Sequence, residues 1–91
     1  MVEQEYKIFI TKQGLKDKEK IIKIPALKNN VDQLIQLIKI NPFATPPFYE
    51  TLVGELKGAY SRRINRQHRL IYKVDEKEKV VTIIRMWTHY E

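Results

Sequence analysis

Three of the four prolines in the chain fall between residues 42 and 47, in the run Asn41-Pro-Phe-Ala-Thr-Pro-Pro-Phe48. Proline lacks the amide donor that a helix needs and pushes the residue before it out of helical geometry. The run therefore divides the chain, and the hydrophobic period differs on its two sides. Upstream, Leu27, Val31, Leu34, Ile35 and Ile38 form a stripe at helical spacing. Pro25 suits the first position of that helix, and Asn41-Pro42 must end it. Downstream, alternating and β-branched residues take over, which is the pattern of strands.

The remaining segments follow the same rules. Tyr6 to Thr11 alternates with Tyr6, Ile8 and Ile10 on one side, predicting a first strand. Lys12 to Ile24 reads as a charge-rich helix with Leu15 and Ile22 on one face, although Gly14 weakens it. Residues 49–57 fit a strand or an extended segment. Ala59 to Ile64 and His68 to Val74 predict a hairpin turning at Asn65-Arg66-Gln67, and Val80 to Trp87 has the β-branched and aromatic content of a central strand. The expected fold is α+β in the order β-α-α-β-β-β, one domain over residues 1–91. Its two helices would lie on a twisted, mainly antiparallel four-stranded sheet.

Length and composition narrow the function. A chain of 91 residues supports one hydrophobic core and leaves no room for a separate cofactor domain. With no cysteine, a disulfide scaffold, a thiolate metal site and a cysteine nucleophile are all excluded. The N-terminus lacks a signal-like pattern and no apolar run reaches membrane-spanning length, so a cytoplasmic chain without membrane contact is expected. A net charge of +6 favours an acidic partner, either nucleic acid or an acidic protein.

That charge is concentrated. Residues 57–73 contain Lys57, Arg62, Arg63, Arg66, Arg69 and Lys73 and no acidic residue. A hairpin symmetric about Arg66 sets Arg63 opposite Arg69, a like-charge pair that an anion between them would relieve. The planar guanidinium fork suits phosphate oxygens. On the other face Tyr60 would pair with Tyr72. A solvated basic hairpin, or arginines paired with Glu50 and Glu55, is the plainer alternative.

Two further candidates come from position. Trp87-Thr-His-Tyr-Glu91 is costly in apolar surface if it merely dangles, so a docked chain end is expected, with His89 able to donate a proton near neutral pH. Glu50 follows the stiff Pro46-Pro47-Phe48 segment, which would aim a carboxylate at a fixed spot. By residue type alone, each is more often an ordinary surface group.

These residues together carry a resemblance. Asn41-Pro-Phe, Glu50, Leu56-Lys-Gly-Ala-Tyr-Ser-Arg-Arg-Ile64, His68-Arg-Leu-Ile-Tyr72 and the His89-Tyr90 end resemble the YoeB/Txe branch of the RelE toxin superfamily, most densely over residues 41–90. The resemblance implies two helices on a twisted, mainly antiparallel sheet and cleavage of translated mRNA at the ribosomal decoding site. It implies Glu50 as general base, Arg69 as the arginine that stabilises the transition state and His89 as general acid. Arg63 and Tyr90 fall on positions that place phosphate and substrate. Val53 stands where a lysine is common in the family, and Lys57 is a candidate replacement, with Arg62 as a further phosphate contact.

No metal or cofactor is called for, because the 2′-hydroxyl of RNA is itself the nucleophile. The implied partners are mRNA on the ribosome and a YefM/Phd-like antitoxin with an acidic, conditionally folded segment, through which the pair would bind operator DNA. A ParE-like gyrase inhibitor shares the architecture but generally lacks the Glu, Arg and terminal His set. A non-catalytic RNA- or ribosome-binding module would need the arginines without Glu50 or His89. A purely structural partner-binding domain would explain the helices but not the basic hairpin.

Overall fold

The structure, a computed structural model, describes residues 5–87. β1 (Lys7–Ile10) leads into α1 (Lys12–Ile21) and α2 (Pro25–Ile40). The connector then enters β2 (Tyr49–Thr51), a single 3-10 turn (Gly54–Leu56), β3 (Ala59–Arg63), β4 (Arg69–Asp75) and β5 (Val80–Arg85). The fold is α+β as expected, but the sheet has five strands rather than four, in the order β1-β5-β4-β3-β2. The extra strand is the ambiguous segment after the prolines, whose three residues pair antiparallel with β3. β1 runs parallel to β5 and every other pair is antiparallel.

Both helices cover one sheet face. Ile21 of α1 and Leu27, Val31, Leu34 and Ile38 of α2 pack on Leu70, Tyr72, Val81 and Ile83. α2 starts at Pro25 and stops at Ile40, as the prolines require. No helix of the chain's described residues is long and apolar enough to cross a membrane.

The inward face of α1 differs from the one expected. Leu15 and Ile22 are about half exposed, and the buried positions are Gly14, Asp17 and Ile21. Glycine is needed at 14 because the helix runs close to the sheet. A Cβ there would lie 2.8 Å from Ile10 Cγ2 and 3.0 Å from the Ile83 carbonyl. The entry to α1 is fixed by Thr11, whose hydroxyl accepts from the Gly14 amide and donates to the Ile84 carbonyl.

Asp17 is a buried carboxylate with a defined task. Its Oδ2 accepts from Arg85 Nε at 2.8 Å, from the Met86 amide at 3.0 Å and from the Trp87 amide at 3.1 Å, while Oδ1 accepts from Gln13. These bonds catch the chain just after β5, where the ladder shifts register between Ile71 and Tyr72. Burial alone would raise the pKa of Asp17. The bonds from Arg85, Met86, Trp87 and Gln13 outweigh that effect and hold it below the ordinary carboxylate value.

A carboxyl whose pKa is depressed on folding stabilises the protein above its unfolded pKa, about 3.9, and loses that contribution as pH falls through the folded value. Asp17→Asn is therefore expected to cost about 2–3 kcal/mol at neutral pH, from lost charge-assisted bonds and unpaired amides. Urea unfolding at pH 7 and pH 3 checks this: the gap between variant and wild type narrows at the acid end. A gap independent of pH contradicts the assignment.

Candidate functional site

The two middle arginines of the basic run point in opposite directions. β3 pairs with β4 so that Arg63 faces Arg69, Tyr60 faces Tyr72 and Arg62 faces Leu70. Successive strand residues alternate faces. Arg62 thus shares the helix-covered face with Tyr60 and Tyr72, and Arg63 shares the opposite face with Ser61 and Arg69.

Arg62 is fully buried. Its Nε donates to the Tyr72 hydroxyl at 2.9 Å, Nη1 to the Pro47 carbonyl at 2.7 Å and Nη2 to the Pro42 carbonyl at 2.9 Å. The Tyr72 hydroxyl donates in turn to the Pro42 carbonyl at 2.8 Å. Burial pushes the Tyr72 pKa up despite the nearby guanidinium, so the phenol keeps the proton it donates. The Tyr49 ring lies 5.1 Å from the guanidinium, within cation–π range. Phe43, Tyr49, Tyr60 and Tyr72 pack edge to face or tilted around this centre.

Arg62 is therefore not a phosphate contact, contrary to the sequence reading. Its donors are committed to holding the connector against the sheet. Lys57 also falls outside the site: it is exposed beyond the far end of β3 and does not line the cleft formed by Glu50, Arg63 and Arg69.

The face opposite the helices carries the candidate groups. β2 pairs with β3 so that Glu50 stands across from Ser61. Pro47, Phe48, Glu50, Ser61, Arg63 and Arg69 line a cleft of about 310 Å³. Glu50 Oε1 and Arg69 Nη1 are 3.8 Å apart, and the Glu50 side chain is half exposed. Such a long, wet ion pair is worth no more than about 1 kcal/mol, so an incoming phosphate displaces it at little cost. Among the described residues, Arg63 is exposed and pairs with no carboxylate. Ser61 is buried, and its hydroxyl has no partner among the described residues.

The turn that sets Arg63 against Arg69 is rigid. Asn65 Oδ1 accepts from the Gln67 and His68 amides, the Ile64 amide bonds the His68 carbonyl, and Asn30 of α2 donates to the Ile64 carbonyl. His68, the neighbour of Arg69, stacks on Trp87 with ring centroids 3.9 Å apart. Of the residues the sequence reading brought together, Glu50, Arg63 and Arg69 line a single cleft. His89 and Tyr90 lie outside the described residues.

Phe48 and Ser61 were missed. The same alternation that places Glu50 and Arg63 would have put both on this face.

The sequence profile described as YoeB-like toxin of bacterial type II toxin-antitoxin system matches residues 11–90. The chain belongs to this YoeB-like toxin family. Toxin YoeB of Mycobacterium bovis is 40% identical over 60 residues, covering 66% of this chain and 68% of that one. A YoeB/ParE toxin from Agrobacterium tumefaciens superposes with a TM-score of 0.84 at 29% identity, covering 92% of this chain and 99% of that one. YoeB from Staphylococcus aureus, solved in a YoeB-YefM complex, gives 0.80 at 29% identity, covering 93% and 98%. Val53, where the resemblance leads one to expect a lysine, is 84% exposed.

The two arginines separate cleanly by experiment. Arg62→Gln is expected to lower stability by about 2–4 kcal/mol, because buried carbonyls and a phenol lose their donors. Arg63→Gln should stay within about 0.5 kcal/mol of wild type, being an exposed surface change. Chemical denaturation of both variants reads this directly. Equal costs for the two would contradict the opposite facing of their side chains.

Proposed function

We propose that this toxin cleaves mRNA on the ribosome by acid–base chemistry. The observation that carries the reading is the convergence of Glu50, Arg63 and Arg69 in one cleft at the mouth of the β3–β4 hairpin. The RNA supplies its own nucleophile, the 2′-hydroxyl next to the scissile phosphate. Glu50 takes the 2′ proton once the phosphate has drawn Arg69 away from it. Arg63 and Arg69 receive the charge that builds on the non-bridging oxygens of the phosphorane. The leaving 5′ oxygen takes a proton from His89, and Tyr90 helps place the substrate. The last described residue, Trp87, stacks on His68, the chain neighbour of Arg69, and the reading requires the tail beyond it to bring His89 to the cleft.

The products are a 2′,3′-cyclic phosphate, or its hydrolysed 3′-phosphate, and a 5′-hydroxyl. Each acid–base group supplies about 10²–10⁴ in rate. Placement of the mRNA by the ribosome supplies a comparable factor by orientation. The site of action is then the cytoplasm.

Silencing follows from the same charges. The Staphylococcus aureus relative was solved in complex with YefM. A cognate antitoxin with an acidic segment would neutralise Arg63, which has no carboxylate of its own among the described residues, and bar the cleft to RNA.

Controlled expression of wild type, Glu50→Gln and His89→Gln, with mapping of RNA ends on ribosomes, tests the reading. Wild type is expected to arrest growth and leave 5′-hydroxyl ends, with each variant reduced at least about a hundredfold. Growth arrest by all three without cleavage would point to a gyrase-inhibiting or purely binding mode. Ends carrying 5′-phosphates would rule out the proposed chemistry.

A further inference from the structure

We propose that Phe48 is a stacking platform for the nucleobase of the nucleotide whose 2′-hydroxyl attacks. The inference rests on the nuclease reading above and adds a substrate contact to it.

Phe48 is 74% exposed, directly beside the cleft. Its aromatic neighbours in the chain behave differently: Phe43, Tyr49, Tyr60 and Tyr72 pack on one another over the Arg62 face. The ring of Phe48 meets no other aromatic ring among the described residues. Residues 48 and 50 lie two apart in extended chain, so their side chains leave on one face. Carrying the β2–β3 register one step past Tyr49–Arg62 sets Phe48 beside Arg63. An aromatic face, two guanidinium groups and a carboxylate thus line one short cleft.

A second cavity of about 540 Å³ adjoins it, lined by Thr45, Phe48, Tyr49, Glu50 and Thr51. The two cavities share only Phe48 and Glu50. Their chemistry differs. The first holds both arginines and suits the phosphate. The second holds three hydroxyl-bearing side chains and no cation, which suits a ribose and base. A strand with its phosphate on Arg63 and Arg69 and its 2′-oxygen at Glu50 must carry the preceding base past the Phe48 ring.

The backbone that carries the ring is also held in place. Pro46 and Pro47 precede it, and the Pro47 carbonyl is fixed by Arg62. Little ordering cost then remains on binding, as a stacking platform requires. An exposed phenylalanine otherwise costs solubility and contributes nothing to the core.

Titration of mRNA-programmed ribosomes with wild type, Phe48→Ala, Phe48→Leu and Phe48→Trp tests this. Two quantities are read: the half-saturating toxin concentration and the single-turnover rate at saturation. Phe48→Ala and Phe48→Leu are expected to raise the half-saturating concentration roughly 5- to 150-fold, the factor that corresponds to one lost base–aromatic stack. Phe48→Trp keeps or improves on wild type. Thermal midpoints stay level across the set, because the side chain is exposed.

Leucine performing as well as phenylalanine would overturn the proposal, since apolar contact without stacking would then suffice. So would unchanged cleavage by Phe48→Ala, including the case where capture by an acidic antitoxin peptide is weakened instead. If wild type cleaves nothing, the nuclease reading fails by itself. Fluorescence of Phe48→Trp titrated with a short single-stranded oligonucleotide then decides: quenching upholds the platform, and its absence overturns it.

Discussion

A buried guanidinium with no carboxylate partner among the described residues organises this molecule. Arg62 spends its donors on two proline carbonyls and a tyrosine hydroxyl, and rests against the face of Tyr49. Those bonds draw the connector of residues 41–48 onto the end of the sheet, which delivers β2 to the edge of β3. The alternation of a strand does the rest. With Arg62 turned inward, Arg63 must turn outward, and it arrives beside Arg69 and across from the strand that bears Glu50. One residue buys the other its exposure.

At the same end of the sheet, two strands away, the exit of β5 is held by the complementary device, a buried carboxylate. Asp17 gathers Arg85 and two backbone amides, so the chain leaving β5 is directed back toward the hairpin, where Trp87 meets His68. The glycine at 14 lets α1 approach closely enough for this. Two buried charges of opposite sign thus fix the connector and the segment just after β5. The connector borders the candidate cleft through Pro47 and Phe48, and neither buried charge lines it. Among the described residues Arg63 pairs with no carboxylate, and Glu50 meets Arg69 only at 3.8 Å.

Much of this is legible in the sequence, and the failures have physical causes. Prolines 25 and 42 set the bounds of α2, and symmetry about Arg66 set the pairing of Arg63 with Arg69, because backbone chemistry decides both locally. The fifth strand was not separable from loop, since three residues carry too little periodicity to read. The inward face of α1 escapes the hydrophobic pattern for a different reason. Its buried residues, Gly14 and Asp17, are not hydrophobic, and hydropathy favoured Leu15 and Ile22. Arg62 was grouped with the phosphate contacts because six cations in one run look alike. Alternation from Tyr60 and Tyr72 would have placed it inside.

The central claim is spatial: one phosphodiester is gripped on the outward face of the β3–β4 hairpin. The most direct measurement is a structure of this toxin on a programmed ribosome carrying mRNA with a 2′-O-methyl block at the cut site. The account predicts the scissile phosphate within hydrogen-bond reach of both Arg63 and Arg69, with the blocked 2′-oxygen toward Glu50. A phosphate bound elsewhere, with Glu50 and Arg69 still paired as in the free toxin, would contradict it.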